Sequence, residues 1–487
     1  MSLHFLNVTQ PVFSSNLYRL DRELAEGVER LSTGSRINSA ADGAADIAIK
    51  TTLKSEMASA LAYSSMTADA TTLFETADST LSEVSDLIDE FRDLAVQASN
   101  SSTTATDRSS LNSEASAIAA AITTLATAAE YNGTALLDGT FTSNSFFLSE
   151  GSSSSMSTTL ASSAATAIGA FILEGSTKAA TSAATTPTAN DISVSEDATI
   201  AGSTVEATAN ESAFSFATKI NAISDTTNVY ATAETYAHLS TSQTSTTSYT
   251  LSLNSVSTAS FNMTSTDASG AVAAINSISS STGVTATSTS NYQVLLHDNT
   301  GADITIENAS SSTGLSVAAV LRDASTESGS AVTLAASGST VATRVSGTIR
   351  LTSDATFSVV QAGTDSQGYL SDSTATQTVL SNASLSTSVD AAKAITIADS
   401  AANQITLIRG DISAYMKQLE FANLVHTNQY TEKAIGLATL QDADVALEAA
   451  RVAKAQMLKQ ITLAVQSQML NEGNQIIDLI KSLRLAA

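Results

Sequence analysis

Leu81-Ser-Glu-Val-Ser-Asp-Leu-Ile-Asp-Glu-Phe-Arg-Asp-Leu-Ala95 sets Leu81, Val84, Ile88, Phe91 and Leu94 at spacings of three and four. Residues so spaced share one face of an α-helix, so the stretch predicts a helix with a single apolar stripe. Working outward, the stripe extends back through Leu73, Leu61 and Met57, and no proline or glycine interrupts the chain from Ala44 to Ser99. An unbroken helix of that length points to a coiled coil or a long bundle. Upstream, Leu17, Leu20, Leu24, Val28 and Leu31 form a second stripe. Downstream, a third helix is expected from Asp107 through Leu111, Ile118, Ile122 and Leu125, stopping near Asn132-Gly133.

Helical periodicity returns at about Thr387. Ile405, Ile408, Ile412, Tyr415 and Leu419 form one stripe; Leu458, Ile461 and Val465, then Ile476, Ile480 and Leu483, form another. Between about residues 141 and 390 the character changes. Ser and Thr dominate, and short alternating runs appear, as in Tyr249-Thr-Leu-Ser-Leu-Asn, Asp303-Ile-Thr-Ile-Glu and Gly347-Thr-Ile-Arg-Leu. Alternation bounded by turn-formers predicts strands in β-rich domains. A disordered linker would carry fewer Val, Ile, Leu and Phe. The middle also repeats itself: Phe216-Ala-Thr-Lys-Ile-Asn-Ala-Ile-Ser resembles Ala271-Val-Ala-Ala-Ile-Asn-Ser-Ile-Ser, offset by 55 residues. Each copy reads as a short helix ending in Ile-Asn, a turn and a strand, so two similar modules are expected in a row. The fold class is therefore α+β: a long-helix coiled-coil or bundle core built from both chain ends, with β-rich domains inserted in the middle.

Composition narrows the function. The 487 residues carry a net charge of −25, with 14% charged residues and no cysteine. Such acidity excludes a nucleic-acid footprint. Absent cysteine excludes disulfides, thiolate zinc sites and cysteine nucleophiles, and suits a chain that travels unfolded through an export channel. Between Ala179 and Asp390 the only basic residues are Lys219, Arg322, Arg344 and Arg350. The ends thus read as charge-balanced, interacting helices and the middle as a soluble, self-repelling outer surface. The opening Met1-Ser-Leu-His-Phe-Leu lacks the features of a cleaved secretory signal, and no apolar run is long enough for a membrane helix.

Catalytic constellations are not found. His4, His238, His297 and His426 are scattered, with no His-Glu-x-x-His, phosphate-binding glycine loop or nucleophile elbow. No cofactor or metal site is expected. Asp442 and Asp444 read as acids favoured by a helix start rather than as ligands, and His426 as a packed structural histidine.

The ends carry a family resemblance. Leu31-Ser-Thr-Gly-Ser-Arg-Ile-Asn-Ser-Ala-Ala-Asp-Gly-Ala-Ala, Phe91-Arg-Asp-Leu-Ala-Val-Gln-Ala-Ser-Asn and Glu130-Tyr-Asn-Gly-Thr-Ala-Leu-Leu-Asp-Gly resemble segments of bacterial flagellins, in family order. So do Leu440-Gln-Asp-Ala-Asp-Val-Ala-Leu-Glu and Ala453-Lys-Ala-Gln-Met-Leu-Lys-Gln, and the Ile-Asn repeats resemble the family's IN motif. The resemblance implies a non-enzymatic subunit that self-assembles into an extracellular filament for motility. It implies an inner coiled-coil domain from 1–43 and 451–487 and a helical domain with a β-hairpin from 44–178 and 388–450. Outer β-rich domains would fill 179–387, with repeats near 189–240 and 245–310. Assembly is assigned to Leu17, Leu20, Leu24, Leu31, Leu458, Ile461, Val465, Ile476, Ile480 and Leu483. These terminal stripes have no expected partner within one chain, so the ends should order only on assembly.

Implied partners are further flagellin copies, hook-associated and cap proteins, a flagellin chaperone and the type III export apparatus, with neither nucleic acid nor membrane insertion. The Ser/Thr-rich surface is a candidate for O-glycosylation. Rival readings are a hook–filament junction protein and a secreted surface adhesin with flagellin-like ends. The resemblance also places Glu90, Leu94, Gln97 and Glu114 at positions equivalent to the surface seen by the flagellin-sensing Toll-like receptor. Strongly recognised flagellins carry arginine where this chain has Glu90.

Overall fold

The uninterrupted stretch forms one helix. In the computed structural model, α1 spans Ser2–Thr33, α2 Ala44–Ser99 and α3 Ala105–Ala128. Four short helices follow, α4 Ala213–Asn221, α5 Ser224–Thr227, α6 Ser269–Asn276 and α7 Ser279–Thr282, before the long α8 Ser388–Gln441 and α9 Val445–Leu485. The structure describes residues 2–148, 155–175, 191–195, 203–206, 211–336, 342–362, 369–370 and 373–485. They fall into two compact units, one of Met1–Thr72, Ser145–Met156 and Met416–Ala487, the other of Leu73–Asn144 and Ser157–Tyr415.

The stripe that opened the sequence reading is correct at one end and wrong at the other. Leu73, Leu81, Val84, Ile88 and Phe91 are buried, but Leu61 is 61% exposed. The buried face runs instead through Ala60, Thr67, Ala70, Phe74 and Ala77. Small side chains let helices approach closely, so here alanine and threonine mark the contact and the larger leucine is left outside. In the second unit α2 packs with α8: Phe74 lies against Tyr415, with ring centroids 5.5 Å apart. Arg409 Nε donates to Asp78 Oδ1 at 2.8 Å and Arg92 Nε to Asp399 Oδ1 at 2.5 Å. The stripe Ile405, Ile408, Ile412 and Leu419 is buried as expected.

Helix α3 starts two residues before the expected Asp107. Thr104 caps it, and Asp107 donates its backbone N–H to the Thr104 hydroxyl while its carboxylate accepts from the Thr104 backbone, which is a capping box. Beyond α3, Asn132 and Gly133 both take positive φ between the paired residues Tyr131 and Thr134. That is the two-residue hairpin turn an Asn-Gly pair favours.

The three alternating runs are strands, at Thr247–Tyr249 with Leu251–Leu253, at Ile304–Asn308 and at Thr348–Ser353. The largest sheet is organised on one long strand, Tyr230–Thr241. Its first half pairs antiparallel with Thr348–Ser353. Its second half is flanked by Val294–Asp298 on one side and Leu315–Val320 on the other. Ala231 and Ala233 enter one apolar core with Phe216, Ile220, Ile349 and Leu351. Ala237 and Leu239 enter a second core with Ile275, Val284, Leu296 and Val317. The two repeats are thus tied to one shared strand.

Each repeat ends its helix the same way. Asn221 Oδ1 accepts from Ala231 N at 2.7 Å and its Nδ2 donates to Ala231 O at 2.9 Å. Asn276 does the same to Ala286, at 2.7 and 2.8 Å. Strand edges leave backbone donors and acceptors open, and an asparagine amide presents one of each at the right separation to close them. The preceding Ile220 and Ile275 are fully buried, so the Ile-Asn pair anchors the helix and closes the edge together. Asn276→Ala leaves both Ala286 groups unpaired and is expected to destabilise the second unit by about 1–3 kcal/mol. Chemical denaturation followed by circular dichroism measures the loss, and Asn276→Asp, which keeps only the acceptor, should fall between the two.

Candidate assembly surface

Two distant motifs meet in the first unit. Arg36 N donates to Gln441 O at 2.6 Å, Ala443 N to Gly34 O at 3.0 Å, and Arg36 Nη2 to Leu440 O at 3.0 Å. Gly34 sits at φ +67°, in the left-handed region that favours glycine. Ile37 is buried behind the turn. Asp42 Oδ2 accepts from the amides of Ser39 at 2.7 Å and Asn38 at 3.0 Å, and these donors hold its carboxyl below the usual carboxylate range. Arg30 lies 3.6 Å from Asp42 and 3.6 Å from the buried Glu448, which also accepts from Arg451 at 2.9 Å. Asp444 Oδ1 accepts from Leu447 N at 3.0 Å, at the start of α9. The acids at 442 and 444 therefore belong to a backbone clasp and a helix cap, in line with the reading as helix-start acids.

This clasp lays α1 against α9. Leu20 is buried at 4% exposure, and Leu17, Leu24 and Leu31 are half-buried. The expectation that the α1 stripe has no partner within one chain is thus corrected: α9 supplies one, and both ends are helical. The pair closes tightly where Gly27 faces Val452, because a Cβ on Gly27 would stand 2.6 Å from Val452 Cγ2. Asp21 pairs with Lys459 at 2.5 Å. A groove of about 490 Å³ runs beside this contact, lined among others by Leu20, Gly27, Arg30, Glu448, Ala455 and Leu458.

On α9 the expected stripe faces outward. Leu458, Ile461, Val465 and Ile476 are exposed, Ile461 by 58%. Ile480 and Leu483 lie in the helix, but their side chains fall outside the described ones. The surface extends further than the stripe, through Met457, Leu463, Leu470, Ile477 and Leu479 on α9 and Phe421, Leu424 and Ile435 on α8. Sequence reading missed these because α9 is apolar around much of its circumference, so one three-four series understates it. Apolar residues in such density on two long helices exceed the scatter normal for a monomer and mark an interaction surface.

His426 is buried, stacks on Tyr63 with centroids 5.3 Å apart, and donates from Nε2 to Leu148 O; it is structural. Glu90 and Gln97 are exposed on α2 with Leu94 half-buried beside them, and Glu114 is exposed on α3. Among the described residues no helix is long and apolar enough to cross a membrane.

Residues 6–142 match the bacterial flagellin N-terminal helical region. The B-type flagellin of Pseudomonas aeruginosa is 32% identical over 154 residues, 32% of this chain and 32% of that protein. Polar flagellin F of Vibrio parahaemolyticus is 32% identical over 29% of this chain and 37% of its own length. The chain spans about a third of the length of these curated relatives. Among solved structures, FliC from Burkholderia pseudomallei is similar at 15% identity over 71% of this chain and 98% of that one, with a TM-score of 0.29. Flagellar hook associated protein-3 from Legionella pneumophila is similar at 12% identity over 80% and 98%, with a TM-score of 0.31.

The Gly27 contact generates an opposed pair of effects. Alanine in a helix interior is normally favoured over glycine by about 1 kcal/mol. Overpacking against a stiff β-branched neighbour costs typically 1–3 kcal/mol. The second outweighs the first, so Gly27→Ala is expected to weaken the α1–α9 pair, and adding Val452→Ala is expected to restore it. Thermal melts monitored at the helical circular dichroism band decide between this and simple stabilisation by alanine.

Proposed function

We propose that this chain, a bacterial flagellin by its N-terminal helical region, is a structural subunit that polymerises with its own copies into an extracellular flagellar filament used for motility. The observation that supports the reading most directly is the exposed apolar surface of α9 and the adjoining part of α8, from Phe421 to Leu479. Within a single chain, α1 covers only one side of α9, leaving Leu458, Ile461 and Val465 in water. Fully burying a side chain of that size contributes about 1.5–3 kcal/mol, so stacking copies supplies what the isolated chain lacks. A heterologous contact that does not close on itself propagates an open helical assembly.

The terminal segments 1–43 and 451–487 form the inner coiled coil of this assembly, 44–178 and 388–450 its helical layer, and 179–387 an outer surface dispensable for growth. On this reading the subunit reaches the outside through type III export, meeting a chaperone, cap and hook-associated proteins on the way. The Ser/Thr-rich middle is the surface that would carry O-linked glycans.

Negative-stain imaging of the purified chain tests the reading. Filaments are expected from the full chain and from a variant lacking 179–387, and none from Ile461→Asp combined with Val465→Asp or after removal of the last forty or so residues. Normal filaments from the truncated chain would sink it.

The receptor-equivalent face gives a second outcome. Glu90 reverses the charge found in strongly recognised flagellins, and a mispaired interfacial charge costs on the order of 2–5 kcal/mol. Weak activation of the flagellin-sensing receptor by the monomer is expected, with partial recovery in Glu90→Arg. Reporter cells exposed to both proteins provide the comparison, and potent signalling by the unmodified chain would refute it.

A further inference from the structure

The shared strand Tyr230–Thr241 turns Ala237 and Leu239 into an apolar core. Its alternate residues Glu234, Tyr236 and His238 therefore stand on the opposite face. There the register sets His297 opposite Tyr236, and the two rings stack with centroids 4.3 Å apart and 4° between planes. Tyr236 Oη donates to Glu234 Oε2 at 2.8 Å, and Arg322 Nη2 donates to Glu234 Oε1 at 3.0 Å. Arg322 is further held by Thr232, its Nη1 donating to the carbonyl at 2.9 Å. On the other side, His238 Nδ1 donates to Glu327 Oε1 at 3.0 Å, and Gln293 Nε2 donates to the same oxygen at 3.1 Å. Tyr236, His238 and Arg322 are all buried. Among the described residues, the Nε2 atoms of both histidines are buried without a hydrogen-bond partner. Nothing in the assembly surface uses this cluster.

We infer that the cluster is an acid-responsive lock: the neutral imidazole at 297 keeps the sheet's second face closed, and its protonation loosens Val294–Asp298 and Leu315–Val320 from the shared strand.

The geometry explains the direction. His238, held by Glu327 through Nδ1, ties the shared strand to the residues beyond Leu315–Val320. His297 faces Glu234 and Tyr236 from the shared strand, its neighbour Asp298, and Arg322 from beyond Leu315–Val320. Arg350 and Glu174 stand behind Arg322. His297 Nε2 lies 3.8 Å from Glu234 Oε2, too far for a hydrogen bond, and both Glu234 oxygens are already occupied. A charged His297 therefore competes with Arg322 for one carboxylate inside a buried site. Burial accordingly pushes the His297 imidazole below its ordinary value, with Glu234 and Asp298 opposing the shift only in part. A histidine whose folded value lies below the unfolded value of about 6.5 contributes stability above that pH. The contribution is lost as pH falls through about 6.5 toward the folded value.

Hydrogen exchange read by mass spectrometry on the full chain, at about pH 7 and about pH 5 and corrected for intrinsic rates, tests the inference. Protection of peptides covering 294–298 and 315–320 is expected to fall about tenfold at the lower pH. Peptides from α3 should keep theirs. His297→Phe, which preserves the stacked ring, should remove most of that pH dependence. Equal protection at both pH values, or an undiminished loss in that variant, overturns the proposal. Proton NMR of the unmodified chain gives a readout that needs no substitution: a His297 ring titrating below about 6.5 supports the lock, and one titrating at or above it overturns the lock.

Discussion

The clasp between Gly34–Gly43 and Gln441–Glu448 is the constraint on which the helical ends depend. Two backbone hydrogen bonds and the Arg36 contact to Leu440 O join segments about four hundred residues apart. Bringing them together closes a very long loop, an entropic cost that grows only slowly with loop length but still has to be met by local contacts. The clasp meets it with charge pairs and backbone hydrogen bonds: Arg30 lies 3.6 Å from both Asp42 and the buried Glu448 and so links the turn to the start of α9. Once the turn is fixed, α1 has only one place to lie, and Gly27 lets it lie there at close range. The side of α9 that α1 does not cover then becomes the outward face.

A comparable economy governs the β-rich part. One strand serves two cores, handing Ala231 and Ala233 to one and Ala237 and Leu239 to the other. Neither repeat therefore completes its sheet without the strand that also belongs to the other. The asparagines at 221 and 276 seal the edges that this arrangement leaves, using side-chain amides where a further strand would otherwise be needed. Closing edges matters because an open edge is a template for unwanted pairing.

How much of this was legible depended on whether the signal was local. Leu81, Val84, Ile88 and Phe91 announced the α2 core because large side chains at helical spacing occupy it. Leu61 misled because alanines carry the contact in the preceding turns, and alanine is a weak marker of burial. Gly27 carried no signal of its own, since only Val452 on α9 shows that α1 approaches closely there. The Ile-Asn repeat was visible as a pattern, but its function needs the strand edge ten residues further on. The motifs of the clasp were recognisable by resemblance, while the pairing of Arg30 with Glu448 was not. Nothing in the sequence linked His238 to Glu327 or His297 to Glu234, because strand register over long separations carries no short-range signal.

Charge distribution and apolar surface complete one argument. The apolar outward residues, Leu458, Ile461 and Val465 among them, lie in a terminal stretch with Arg451, Lys454 and Lys459, while the segment from Ala179 to Asp390 holds only four basic residues in an acidic chain. Identical acidic surfaces on neighbouring copies repel, with a decay length of about 8 Å at physiological salt. Contact through the helical ends is attractive for the opposite reason, since it removes apolar area from water and crowds no large like charge. On the proposed reading such a chain would associate through one region and keep the other solvated, so that association and solubility would not compete for the same residues.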